Sequence, residues 1–368
     1  MRVTIRKLWH EGLRLRSTMR KYDPGFAFVV RRFWRLYLRD LYSPNEIFQL
    51  GLLDPGIDDG LLRKFVSKER MLRLQCRLNP SSHVYLTENK IAFHKHCRAK
   101  GLTTPEVFAV YSPKGGGDPR LPLLQDRDAW MHFHRERVIQ RLILKPVNGV
   151  HGRGVFRLTR VDQTAPCFED QTGKRCDSDG LLTLMQATGY EDWLVQECLD
   201  AHPLVSALTG SNALQTARVV TFVDERGQSS ILATRLRLIV GSSPFDNFVL
   251  GAAGNLVARV QPESGALEVV LGADSDGLGT VIVPEHPTTR ASFSNFRVPD
   301  WQAVRDLAIR AANAFRPLRT IGWDIAVTPD GPMLLEGNVT WDPPTGDPRS
   351  SEIYQLMRSN PAQTSREV

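Results

Sequence analysis

The sequence predicts an α+β protein of two lobes, and three observations carry that reading. Residues 219–223 and 231–240 form a strand pair around the turn Asp224-Glu225-Arg226-Gly227, and residues 322–327 and 333–338 form another around Thr328-Pro329-Asp330-Gly331-Pro332. Residues 142–145 are an apolar strand ending in lysine, which re-enters sheet at residues 155–158 through a glycine-rich loop. Val304, Leu307, Ala308, Ala311 and Phe315 recur at helical spacing, which predicts a helix over 301–315 capped by Asp300. A chain of 368 residues ordinarily divides into two or three lobes. The expected division is a basic helical N-terminal segment over 1–75, a small subdomain over 76–140, a first lobe with the glycine loop over 141–200, a second lobe over 201–350, and a tail over 351–368 that is loose from residue 361.

In chain order the N-terminus comes first. Residues 1–41 hold eleven Lys and Arg against three acids, a net +8 where the whole chain has +7. The remainder is therefore near neutral, so no nucleic-acid partner is expected. Residues 26–41 read as a helix with Arg31, Arg35 and Arg39 along one stripe and Val30, Phe33, Trp34, Tyr37, Leu38 and Leu41 elsewhere. Two readings stay open: the basic segment contacts an anionic membrane face peripherally, or the helix packs on its own domain and snorkels its arginines. The segment is too short and too charged to span a bilayer, and the first thirty residues lack the apolar core of a signal peptide, so a cytoplasmic location is expected. Cysteines 76, 97, 167, 176 and 198 include no C-x-x-C pair, and the nine histidines include no HExxH, which argues against zinc and disulfide frameworks.

The glycine loop points to phosphate. Lys145 supplies a point charge, and Gly149, Gly152 and Gly154 let backbone N–H groups approach phosphate oxygens. Because the loop returns to sheet instead of opening a helix, it is neither a Walker A loop nor a dinucleotide fingerprint. On the later strand Arg235 and Arg237 face one way and Leu236 and Leu238 the other, as in a strand between a core and an anionic ligand. Arg218 and Arg237 are read as ligands, while Arg235 is divided between that role and a solvated outer face. In the C-terminal hairpin, a three-residue loop with Gly331 left-handed sets Thr328 opposite Pro332 and Asp324 opposite Glu336, with Asn338 on their face. Adjacent carboxylates repel unless a cation sits between them, and three hard oxygen ligands suit Mg²⁺ held jointly with nucleotide phosphates. The alternative is an edge hairpin with its polar face in solvent.

Taken in order, the lysine strand and glycine loop, the strand at 195–198, the arginine strands and the Asp324 and Glu336-Gly337-Asn338 strands resemble the ATP-grasp superfamily over roughly residues 80–345. Glu197-Cys198-Leu199-Asp200-Ala201-His202-Pro203, followed by Thr216-Ala217-Arg218-Val219-Val220-Thr221 and by Phe245-Asp246-Asn247-Phe248 before Gly251 and Gly254, looks like its sugar-transfer-associated, alpha-L-glutamate ligase-like branch. The resemblance implies two α+β lobes clamping ATP with Mg²⁺. It implies that Lys90, in Thr87-Glu88-Asn89-Lys90, joins Lys145 as a phosphate-binding lysine. It further implies that Gln196, Glu197 and Cys198 form the hinge whose backbone meets adenine, and that Asp200 or His202 holds the ribose. Ligases of the D-Ala-D-Ala type carry an arginine two residues before the metal aspartate, where this chain has Gly322, so the catalytic arginine comes from elsewhere. Arg218 and Arg237 are the candidates. The implied activity joins a small-molecule or glycan-linked carboxylate to a nucleophile acceptor through an acyl phosphate, in cell-surface or exopolysaccharide-related biosynthesis. The alternatives are an ATP-grasp phosphotransferase, which Asp246 keeps open as a base, and a nucleotide-binding accessory protein of polysaccharide assembly.

Overall fold

The computed structural model describes residues 2–149, 153–162, 165–243, 245–248, 254–344 and 347–360, with the side chains of the first helix described from residue 12. Gly152, Gly251 and the loose tail expected over 361–368 lie outside the described residues. The chain begins in helices: α1 (Arg2–Tyr22), α2 (Phe26–Trp34) continued by a π-helical turn at Arg35–Arg39, α3 (Pro44–Gln49), α4 (Asp59–Leu62), α5 (Lys68–Leu78), α6 (Ser81–Glu88) and α7 (Lys90–Ala99). Their starts are written in the sequence. The Ser43 N–H donates to the Glu46 carboxylate at 2.9 Å while the Ser43 hydroxyl accepts from the Glu46 N–H, a reciprocal cap followed by proline. Asp58, Ser67 and Asn89 cap α4, α5 and α7 by the same chemistry, and the Asn89 cap makes Lys90 the first residue of its helix.

Two mixed layers follow. The first sheet holds β1 (Val107–Tyr111), β2 (Leu123–Leu124), β3 (Arg141–Pro146), β4 (Phe156–Arg160), β5 (Cys167–Asp170), β6 (Arg175–Asp177) and β7 (Trp193–Glu197), in the order β2-β1-β7-β3-β4-β5-β6. On it lie α8 (Arg127–Glu136) and α9 (Ser178–Ala187), whose Trp130, Phe133, Leu181 and Met185 pack against Leu142, Leu144 and Leu158. After α10 (Pro203–Thr209) comes the second sheet: β8 (Thr216–Val223), β9 (Ser229–Leu238), β10 (Leu256–Val260), β11 (Leu267–Ala273), β12 (Thr280–Ile282), β13 (Thr320–Thr328) and β14 (Gly331–Asn338), ordered β12-β11-β10-β9-β8-β13-β14. Helix α11 (Trp301–Ala314) lies between β12 and β13 in sequence, and α12 (Ser350–Arg358) ends the described chain.

The second sheet has two different faces because its strands alternate. Ala217, Val219, Leu236 and Leu238 point to a core filled by α7, α10 and α11. On the other face α5 and α12 bring Met71, Leu74 and Met357 onto Val220, Phe222 and Ala233. Arg218 and Arg235 share that second face, one step along from this apolar patch.

Several expectations change. Residues 76–140 are not a separate subdomain: β1 and β2 join the first sheet beside β7, whereas Phe93 and Cys97 of α7 pack into the core of the second. Residues 351–358 are helical instead of tail, with Ile353 and Met357 buried. Asp300 stands before α11 with φ 50° and makes no side-chain cap; the Trp301 indole instead donates to the Pro262 carbonyl at 2.8 Å. In the C-terminal hairpin Thr328 pairs with Gly331, not Pro332, so the loop has two residues. An irregularity between Ile325 and Asp324 then shifts the register by one residue, and Asp324 does stand opposite Glu336.

Candidate active site

Register sets the order of charge across the second sheet. Glu336 pairs with Asp324, Asp324 with Arg218, Arg218 with Arg235, and Arg235 with Arg259. Two carboxylates and three guanidinium groups therefore stand in one row over five strands spaced about 4.8 Å apart. Arg218 grips Asp324 through both Nε and Nη2, the second at 2.9 Å, and Arg237 Nη1 reaches the same carboxylate at 3.3 Å. Burial alone would raise the Asp324 carboxyl, but the two guanidinium groups overcome it and hold it at about 2. Glu336 has no such grip, and burial together with the Asp324 charge pushes it up. The Asn338 amide donates to Glu336 at 3.2 Å and to the Gly322 carbonyl at 3.3 Å, which joins the three residues on one face. The expected repulsion between bare carboxylates is thus already offset on the Asp324 side by Arg218 and Arg237. Gly322 makes room for this: a Cβ there would meet the Arg218 side chain at 3.3 Å.

Facing this row is the first sheet. A cavity of about 220 Å³ runs between the sheets, lined by Ile143, Lys145 and Gln196 on one side and Thr216, Asp324 and Glu336 on the other. Lys90 and Gly149 also line it, and the Lys90 ammonium donates to the Gly149 carbonyl at 2.6 Å. Lys145 forms no ion pair or side-chain hydrogen bond among the described residues. Burial, with Lys90 beside it, lowers its ammonium to about 8, and Lys90 is lowered by burial too. Lys90, Lys145, Arg153, Arg157 and Arg237 outnumber Glu197, Asp246, Asp324 and Glu336 in the lining, and the two desolvated lysines are cations suited to phosphate oxygens.

The other expected residues divide. Glu197 and Cys198 line the cavity beside Gln196, and the hinge is tied to the chain before β1 because the Glu106 N–H donates to the Glu197 carboxylate at 3.0 Å. Gly154, with φ +73°, does not line it; a side chain there would meet Pro146 at 3.0 Å and Trp193 at 3.5 Å. Asp200 is held by Arg141 at 2.5 and 2.6 Å, and His202 caps α10, so neither carboxylate nor imidazole is brought to the cavity wall. Asp246 does line it, accepting from the Thr216 N–H at 2.7 Å.

A second cavity, of about 520 Å³, opens on the same row and shares Arg237, Asn247, Asp324 and Glu336 with the first. Its wall adds Arg218, Arg235 and Asn338 from the sheet and Glu46 and Lys68 from the N-terminal helices. Sequence reasoning missed this contribution of residues 43–68, which lie nearly three hundred positions from Asn338 and carry no motif. For Arg235 the signal was present in its alternation with Leu236; what was hidden was the pairing that sets it beside Arg218.

A sequence model described as sugar-transfer associated ATP-grasp matches residues 69–345. The chain belongs to that family. No curated protein matched it. Among solved structures this ATP-grasp chain is similar to an L-amino acid ligase from Bacillus licheniformis at 13% identity and TM-score 0.38, over 71% of this chain and 42% of that one. It is similar to D-alanyl-alanine synthetase A from Vibrio cholerae at 12% identity and TM-score 0.46, over 77% and 67%. A third likeness is the biotin carboxylase domain of the Hydrogenobacter thermophilus 2-oxoglutarate carboxylase, solved with MgADP and bicarbonate, at 12% identity and TM-score 0.42 over 79% and 49%. The chain thus spans between 42% and 67% of the lengths of these structures. Its assignment rests on the family match.

Proposed function

We propose that this ATP-grasp protein is a MgATP-dependent ligase that activates a carboxylate as an acyl phosphate and passes it to a nucleophile acceptor, in cell-surface or exopolysaccharide-related biosynthesis. The observation that carries the reading is the meeting of two cavities at Asp324, Glu336 and Arg237: one rich in phosphate-compatible cations, the other open on an arginine row. Lys90 and Lys145 hold the nucleotide phosphates, and Gln196, Glu197 and Cys198 present backbone to the base. Asp324, Glu336 and Asn338 are a hard oxygen set of the kind Mg²⁺ takes beside phosphates. Mg²⁺, when bound, neutralises charge on the transferring phosphoryl group. Arg237, reaching Asp324 from the wall of both cavities, orients the reacting carboxylate and steadies the oxyanion that forms when the nucleophile attacks. Arg218 holds Asp324 ionised. One Asp246 oxygen accepts from the Thr216 N–H and hydroxyl, while the other stands 3.8 Å from Arg237 and can serve a hydroxyl acceptor as a base, which is the observation behind the phosphotransferase as the second reading. Screening small-molecule and glycan-linked acids with amine acceptors should find pairs that release ADP and inorganic phosphate together. A stable phosphorylated product without phosphate release would establish the phosphotransferase instead.

We further propose that residues 1–41 bring the protein to an anionic membrane face peripherally. Phe26, Trp34 and Leu38 are 73%, 51% and 65% exposed, with Val30 and Tyr37 on the same face of α2 and its π-helical turn. Val29 and Leu36 on the opposite face are buried. Arg31 and Arg39 beside the stripe, and Arg16 and Arg20 on α1, form no ion pair among the described residues. An exposed apolar stripe flanked by free arginines matches a bilayer of anionic lipid. No described helix is long and apolar enough to cross a membrane.

A further inference from the structure

Arg235 stands in the charge row with a guanidinium neighbour on either side: Arg218 on β8 and Arg259 on β10, both directly in register. Each neighbour has an acid of its own. Arg218 is paired with Asp324, and Arg259 with Glu268 at 2.7 Å and Asp347 at 3.6 Å. Among the described residues Arg235 forms neither ion pair nor side-chain hydrogen bond, and it lines the larger cavity. Like charges directly opposite one another are destabilising in a sheet, so three arginines in a row hold together only where anions meet them. Burial, with Arg218 and Arg237 adding to it, pulls Arg235 down to about 10 even though Asp347 and Asp342 oppose. The side chain therefore sits in the wall of the larger cavity as a poorly solvated cation whose planar fork suits a bidentate anion.

We propose that Arg235 is an anion-binding subsite for the acid substrate, which therefore carries a second oxyanion, a carboxylate or a phosphate ester, besides the carboxylate activated at the metal hairpin. This rests on the ligase reading above. Arg235 lies on β9 and Asp324 on β13, two strands apart in the sheet, which is about 10 Å between backbones. The two anionic groups of the substrate are separated by several bonds, and the larger cavity holds the part between them. A bidentate contact from Arg235 fixes that far end, so the near carboxylate is presented to the nucleotide in one orientation.

The test uses the full chain saturated with MgADP, so that the nucleotide cavity is filled, and titrates glutarate, butyrate and 3-phosphoglycerate at constant ionic strength. Wild type should bind glutarate or 3-phosphoglycerate at least tenfold more tightly than butyrate, and whichever of the two prevails identifies the second group. Arg235→Met should lose that preference and keep MgADP affinity, and Arg235→Lys should retain part of it. Without anions Arg235→Met should melt at or above the wild-type temperature, because crowding with Arg218 and Arg259 is relieved. A variant that melts lower and still discriminates the probes, or a wild type that binds all three alike or none, overturns the assignment. Failure of the protein to bind MgADP at all would defeat the ligase reading instead, and melting shifts with the same anions in nucleotide-free protein would still decide Arg235.

Discussion

Lys145 concentrates the chemistry of the nucleotide cavity in one side chain. It ends an apolar strand, is desolvated beside a second lysine, and has no acid within ion-pairing reach among the described residues. A charge-assisted contact of this kind contributes roughly 1.5 to 3 kcal/mol, so Lys145→Ala should weaken ATP binding about 10- to 150-fold by calorimetry while the protein stays folded. Because the free ammonium is lowered to about 8, its charge is lost as pH rises through that value. ATP affinity should then fall above pH 8 by up to roughly tenfold per unit. Lys145→Arg should flatten that slope; an equal slope in both proteins would assign the titration elsewhere. Lys145 was legible in the sequence because a lysine closing an apolar strand before a glycine-rich turn has few structural uses. Arg235 was not, since alternation sets its face but not its neighbours, and those depend on strands contributed from positions 218 and 259.

At the scale of the element, the C-terminal hairpin shows why a pairing can be right when the turn is not. A two-residue loop and a bulge displace the strands by compensating amounts, so Asp324 and Glu336 meet although Thr328 and Pro332 do not. The turn signal Pro-Asp-Gly marks the reversal, while the bulge, which leaves Leu335 without a residue opposite it, carries no signal in the sequence. Its energetics follow from Glu336. This carboxyl is raised above its ordinary value of 4.5, so its contribution to metal-free stability is full below that value and is lost as pH rises through the folded one. Glu336→Gln should melt as high as wild type or higher at neutral pH without metal, and should lose the stabilisation that Mg²⁺ with ADP gives wild type. A strongly destabilised variant, stabilised by Mg²⁺ and ADP as before, would make Glu336 a structural residue.

In the whole molecule, the two sheets flank the nucleotide cavity and the N-terminal helices help to line the larger cavity beside it. Alternating hairpins and the helix before β13 made the α+β class legible, and residues 69–345 are those the family match covers. The helices before residue 69 were legible in their charge, in the pattern of residues 26–41 and in the caps at Ser43, Asp58 and Ser67, but not in where they pack, because that depends on contacts distant in sequence. Those helices also set the surface. Each basic residue near an anionic bilayer contributes about 1 kcal/mol, so the protein should co-sediment with vesicles containing phosphatidylserine at low salt and detach at high salt. Trp34→Glu with Leu38→Asp should abolish the association without altering MgADP binding, and equal recovery with neutral vesicles would remove the membrane reading.

A substrate carboxylate that attacks the nucleotide's terminal phosphoryl group at the meeting of the two cavities, as proposed above, leaves one of its own oxygens on the phosphate that is released. Once a substrate acid is found, it should be labelled with ¹⁸O in its carboxylate and the released phosphate weighed by mass spectrometry. One ¹⁸O is expected in each phosphate released, which requires an acyl phosphate whose carbonyl carbon is then attacked by the nucleophile. Phosphate that carries no label while product accumulates would contradict it, because the acid would then never have been phosphorylated.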